Sequence, residues 1–222
     1  EPKEDFTKGV AISAGFYPNN STHIESVRYG KGQSAMALLT TFLPDRSIPL
    51  PSLVRWCISV IHSPIKFIKN LYPFDWARKT IILLVMQPID NYLKLNYKSR
   101  WWRLGMFSMN SETSDGKKIP SHIPIAEDVA NNILKDKSGI VTTTYMDALF
   151  NIPTTAHILG GSCMGSSIES GVINDNFEVF NYPDMYVIDG SVIPANLGVN
   201  PSLTITALAE YAMSKFPKKN NI

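Results

Sequence analysis

The sequence predicts a mixed α+β (α/β) fold: a mixed or antiparallel sheet covered by helices, then a glycine-punctuated tail ending in one helix. Three observations carry this. Stretches near the start alternate apolar with polar residues, the middle repeats apolar residues at helical spacing, and "NPSLTITALAEYAMSKF" opens with a strong helix-start signal. The 222 residues, 44% hydrophobic and 18% charged, permit one large domain or two small ones. The expected division is residues 1–150 and 151–222.

"GVAISAGFY" and "THIESVRY" flank the turn-rich "PNNS" and read as a β-hairpin with a four-residue loop. "GQSAMALLTTFL" reads as a short helix capped by Ser34. "SLVRWCISVIHSPIKFIKNLY" reads as helix in two pieces parted near Pro64, because proline cannot donate within a helix. Its residues Trp56, Ile58, Ile61, Ile65, Phe67 and Ile68, edged by Arg55, Lys66 and Lys69, predict a core-facing stripe, with a cover for an apolar ligand or a membrane contact as alternatives.

"KTIILLVMQ" reads as a buried strand, and "NYLKLNYK" (Asn91 to Lys98) as its neighbour, joined through "PID". "SHIPIAEDVANNILKDKSG" repeats Ile125, Val129, Ile133 and Leu134 near a 3.6 period, predicting a helix that closes at Lys137 with Gly139 as its stop. In the tail, "MYVIDG" reads as a short strand whose Gly190 lets the backbone approach a ligand. Asn200 is the expected N-cap of the last helix and Pro201 its first residue, with Leu203, Ala207 and Tyr211 along one face. The free N–H groups of that helix start favour an anion or a carbonyl in front of "NPS".

Composition excludes several classes of function. A formal net charge of +2, with no basic run interleaved with aromatics, lacks the electrostatic footprint of a nucleic-acid binder. Cys57 and Cys163 are too far apart for a local metal or redox motif and read as reduced thiols. No uninterrupted apolar run reaches the roughly 18 residues that a membrane-spanning helix needs. No charged segment followed by an apolar one opens the chain, and the sequence does not indicate a compartment.

The chemistry-bearing stretch is "HILGGSCMG", His157 to Gly165. A serine nucleophile in G-x-S-x-G is excluded, since Met164 stands where the last glycine belongs. A zinc site lacks further local ligands beyond His157 and Cys163, so no metal is expected. Taken alone, the stretch reads as a turn carrying a structural histidine.

Three stretches in order, "HILGG", "GVINDNFEVFNYPDMYVIDGS" and "GVNPSLTITALAE", give the region from about 154 to 215 a further meaning. Their residues and spacing resemble the C-terminal signature of the glucose-methanol-choline (GMC) family of flavin oxidoreductases, most closely its bacterial cholesterol-oxidase-like branch. "LVMQPIDNYLKL" and "IPIAEDVANNIL" are similar to the substrate-domain elements that precede that signature. The resemblance implies a substrate-binding domain over 1–150. It implies that 151–222 supplies C-terminal segments of an FAD-binding, Rossmann-like domain.

The implied cofactor is FAD, and the implied reaction is oxidation of a CH–OH group by hydride transfer to flavin N5. The implied substrate is a sterol-like or other bulky apolar alcohol. Catalysis would fall on His157, hydrogen-bonded to the substrate hydroxyl and assisting its deprotonation, and on Asn200, orienting that hydroxyl. Cofactor contacts would come from Gly160, Asp189, Gly190, Asn200, Pro201 and Ser202, with Gly161 passing close by. An acid that moves protons near the substrate carbon is expected somewhere between Asp75 and Glu112.

The dinucleotide-binding G-x-G-x-x-G of such enzymes does not occur in this sequence. The expectation is therefore the C-terminal part of a longer enzyme, partnered by a flavin-binding N-terminal half. The rival is a non-catalytic or interaction protein that kept the fold and lost the flavin.

Overall fold

A computed structural model of the protein describes residues 5–72, 74–90, 92–99, 101, 104–113, 119–135, 137 and 139–216. The chain forms two compact units. One runs to Met86 and resumes from Asp90 to Thr154; the other joins Gln87–Ile89 to the chain from Thr155 onward.

In the first unit, β1 (Ile12–Asn19) and β2 (Thr22–Val27) form the expected hairpin, but the loop is Asn20-Ser21 alone. Asn19 opposes Thr22 after a register irregularity, and its Oδ1 accepts from the Ser21 amide at 3.0 Å, tightening the turn. The single helix expected over "GQSAMALLTTFL" is instead a 3₁₀ helix, Lys31–Leu39, followed by β3 (Thr40–Phe42). The β-branched pair Thr40-Thr41 favours extended backbone. Ser34 does not cap this helix; its hydroxyl accepts from the Ala77 amide at 3.3 Å.

Next come α1 (Ser52–His62) and α2 (Pro64–Leu71), parted as expected, with Pro64 at the first helical position where its missing N–H is harmless. Half of the predicted core stripe packs inward. Trp56 donates its ring N–H to Thr41 Oγ1 at 2.8 Å, and Phe67 sits edge-on to Trp56 and Phe42. Ile61, Ile65 and Ile68 are exposed instead.

After α3 (Trp76–Lys79), β4 (Ile82–Met86) pairs with β2, which becomes the central strand of a three-stranded antiparallel sheet, with Ile24 fully buried. The strand expected to neighbour β4, β5 (Leu93–Ser99), pairs instead with β6 (Phe107–Thr113). The link between them is no hairpin, because Gln87–Ile89 belongs to the other unit. Asn91, at the expected strand start, lies outside the described residues. Tyr97 stacks on Phe107 across the β5–β6 pair.

Helix α4 (Pro124–Leu134) stops short of Lys137. Lys135 is its cap, and Gly139 lacks the left-handed backbone of a helix stop; its amide donates to Lys137 O at 2.9 Å. β7 (Thr142–Thr144) pairs with β3 and leads into α5 (Tyr145–Phe150), whose first turn is capped by Thr144 Oγ1 accepting from the Asp147 amide. Ala37, Trp76 and Ala77 form a buried cluster here, joined by Tyr29, Met36 and Ile82.

The second unit is built around Ile173, Phe177, Val192 and Ala212. "MYVIDG" does not form a strand: Tyr186 makes one bridge to Glu178, and Gly190–Val192 turns as a 3₁₀ segment. The last helix, α6 (Ser202–Lys215), begins one residue later than expected, with Pro201 at the cap position. Its buried face carries Leu208 and Ala212, whereas Leu203, Ala207 and Tyr211 are exposed. The molecule is thus a mixed α+β protein with small antiparallel sheets.

Candidate functional site

The segment after His157 is fastened to the "DGS" turn by backbone bonds: the Gly160 amide donates to Gly190 O at 3.2 Å and the Ser162 amide to Ser191 O at 2.9 Å. Gly160 and Gly161 lie at φ 81° and 112°, a left-handed region that favours glycine, so the chain reverses here without strain. A Cβ on Gly161 would meet no atom within 4 Å, so this backbone lies open. His157 is half-buried, and its amide donates to Thr155 Oγ1 at 3.0 Å.

Gly190 differs from the expectation that its missing side chain frees space for a ligand. A Cβ there would stand 3.1 Å from Ile158 O and 3.3 Å from Ile205 Cδ1, so the protein itself fills that side. This close approach brings the "DGS" turn, the His157 segment and the first turn of α6 together. Asp189 turns its carboxylate into its own loop, where Oδ1 accepts from the Ser191 hydroxyl at 2.5 Å and amide at 2.8 Å. Those two bonds, the hydroxyl's first, hold its carboxyl below the ordinary carboxylate value.

Pro201 is buried, and its carbonyl accepts the first helical bond from the Ile205 amide at 2.9 Å. Among the described residues, no acid lies in the first turn of α6 and no side chain caps it, so its N–H groups suit an electron-rich ligand. Asn200, half-buried, precedes it, and Ser202 is exposed. Gly198, at φ 66°, packs on Pro88, and Asn196 donates to Gln87 O at 2.8 Å. Sequence reasoning missed this anchoring of Gln87–Ile89, for which no local pattern exists. An open depression of about 560 Å³ in this unit is lined by Met164, Gly165, Ser166, Asn174 and Asp175, none of them an expected site residue.

The acids expected between Asp75 and Glu112 all lie at the surface. Asp75 pairs with Arg78, Asp90 is exposed, and Glu112 pairs with Lys98 at 2.7 Å. The buried carboxylates among the described residues are Glu25 and Asp147. Asp147 is bound by Arg46 Nη2 at 2.6 Å. Glu25 sits on β2 with Oε1 3.6 Å from His23 Nε2, and Tyr17 stacks on the His23 ring with centroids 4.5 Å apart. Gly15 makes room for that ring, because a Cβ there would lie 2.8 Å from His23 Nε2. Two polar residues at i and i+2 within "THIESV" were the available signal, since they share one face of the strand.

Residues 120–209 match the family model described as GMC oxidoreductase. Residues 120–209 are thus a GMC oxidoreductase C-terminal domain. It is 42% identical to a cholesterol oxidase of Acinetobacter baumannii over 98% of its own length and 39% of that protein's. It is 43% identical to a cholesterol oxidase of Mycobacterium tuberculosis over 98% of its length and 38% of that protein's. A long-chain-alcohol oxidase of Arabidopsis thaliana is 27% identical over half of the chain and 15% of the plant protein. The chain thus spans about two fifths of the length of the cholesterol oxidases it matches.

Proposed function

We propose that this chain is the substrate-binding and C-terminal flavin-contacting part of an FAD-dependent alcohol oxidoreductase that oxidises the CH–OH group of a sterol-like or other bulky apolar alcohol. In this reading residues 1–150 bind the alcohol. Residues 151–222 complete a Rossmann-like flavin domain whose N-terminal half lies elsewhere in the enzyme. The observation that carries it is the convergence of the His157 segment, the "DGS" turn and the uncapped start of α6, in a chain matched almost end to end by cholesterol oxidases.

The residues suit the cofactor. The N–H groups of the first turn of α6, free of any acid or side-chain cap, fit an electron-rich edge, and the open backbone at Gly161 tolerates a close neighbour. Asn200, Pro201 and Ser202 hold the group at the helix start, while Gly160, Asp189 and Gly190 shape the adjoining turn. When bound, FAD supplies the acceptor for the hydride that leaves the carbinol carbon. His157 accepts a hydrogen bond from the substrate hydroxyl and assists removal of its proton, and Asn200 fixes the hydroxyl's direction.

In the full-length enzyme containing this chain, a yellow flavin spectrum and its anaerobic bleaching by a 3-hydroxysteroid test the reading without assuming an electron acceptor. His157→Ala is expected to keep the flavin and slow bleaching at least roughly 100-fold, the scale of a lost acid–base group. Unchanged bleaching removes His157 from the mechanism. An enzyme that never holds flavin supports the non-catalytic reading instead.

A further inference from the structure

Helices α1 and α2 pack Trp56 and Phe67 inward but leave a second set of apolar residues exposed, while two of their polar residues are buried. On α1, Ser52 is buried, while Leu53 and Ile61, 55% and 74% exposed, lie on one stripe at i and i+8. On α2, Asn70 is buried and donates from Nδ2 to Thr40 O at 3.3 Å, while Ile65 and Ile68 are 69% and 66% exposed. A water-facing helix shows the opposite pattern. Charge adds a second, independent asymmetry. From Arg46 to Phe74 the sequence holds no Asp or Glu, and Lys66 and Lys69 stand exposed on α2, Lys69 one turn from Ile65.

We propose that α1 and α2 form a docking surface for an anionic lipid bilayer. Ile61, Ile65 and Ile68 enter the boundary between headgroups and acyl chains, while Lys66 and Lys69 meet lipid phosphates. Such a bilayer offers an apolar interior beneath a negative surface, which matches an apolar stripe edged by lysines and free of carboxylates. No helix among the described residues is long and apolar enough to cross a membrane, so the contact is one of lying on the surface. The proposal does not rest on the alcohol reading, and its test needs neither flavin nor sterol.

The 222-residue chain is sedimented with sterol-free vesicles of phosphatidylcholine, alone or with about a third phosphatidylglycerol. Binding is expected to be roughly 10-fold stronger on the anionic vesicles and to lose that excess in added salt. The double variant Ile65→Asp/Ile68→Asp is expected to lose binding about 10-fold or more, and Lys66→Gln/Lys69→Gln only the anionic excess. All four side chains are exposed, so unfolding temperatures serve as the control. If the aspartate variant unfolds early, Ile61→Ser takes its place.

Three outcomes overturn the proposal. One is failure of the wild-type chain to sediment, and another is equal sedimentation of the aspartate variant. The third is binding by this chain that disappears in the full-length enzyme, which would mean that the rest of that enzyme covers the face.

Discussion

Gly165 and Gly171 cross so closely that a Cβ on either would stand 2.4 Å from the other's amide nitrogen. The obstruction is backbone, which cannot rotate away as a side chain can. Gly165→Ala or Gly171→Ala is therefore expected to cost about 2–3 kcal/mol, read as a lower urea midpoint with unchanged slope. An unchanged midpoint would show that the crossing yields. Neither glycine was legible as special, because neither has the positive φ that marks Gly160 and Gly161; their constraint comes from a neighbour six residues away. Asp189 was more legible, since an Asx-type cap follows from "DGS" itself. A carboxyl lowered on folding contributes stability above its unfolded value and loses it as pH falls through the folded one. Ser191→Ala should bring the Asp189 carboxyl up toward its ordinary value in a carbon-13 NMR titration. A titration that does not move would mean that the hydroxyl is not the cause.

Arg46 ties two helices of the first unit, a role that no single stretch of sequence announces. It donates from Nε to Glu127 Oε1 on α4 at 2.9 Å and from Nη2 to Asp147 Oδ2 on α5 at 2.6 Å, while His122 Nδ1 lies 2.8 Å from Glu127. Its side chain is only 11% exposed, so removal leaves two carboxylates facing each other in poorly hydrated surroundings. Arg46→Ala is expected to cost about 3 kcal/mol, measured by chemical unfolding. Arg46→Lys should recover little, because an ammonium does not reproduce a fork of two directed donors. Full recovery by lysine would reduce the network to simple charge. Local signals served the elements well where proline chemistry decided the outcome, as at Pro64, and placed the first hairpin while missing its two-residue loop. They failed where pairing is non-local. β5 has the alternation of a sheet strand, but nothing in it distinguishes β6 from β4 as its partner. On α6, periodicity fits more than one apolar face, and only the cluster around Phe177 selects the face with Leu208 and Ala212.

At the scale of the molecule, the two units have cores of their own, one around Trp76 and one around Phe177. The expected site residues from His157 to Ser202 all fall in the second unit, whereas the buried Glu25 falls in the first. The tail residues were named through the family resemblance, whereas no local motif marks Glu25, whose surroundings depend on how three strands register. Separate cores also have a thermodynamic consequence. Phe177 is fully buried among Ile173, Val192 and Ala212, and Phe177→Ala removes aromatic volume that small neighbours cannot refill, a loss of about 3–5 kcal/mol. Because that core holds no residue of the first unit, calorimetry of the variant should show one part of the unfolding moved to lower temperature and the rest in place. Trp76→Ala should do the converse. If either substitution instead shifts a single transition as a whole, the two units unfold as one cooperative body, and the stability of the His157 segment then depends on the sheet that carries Glu25.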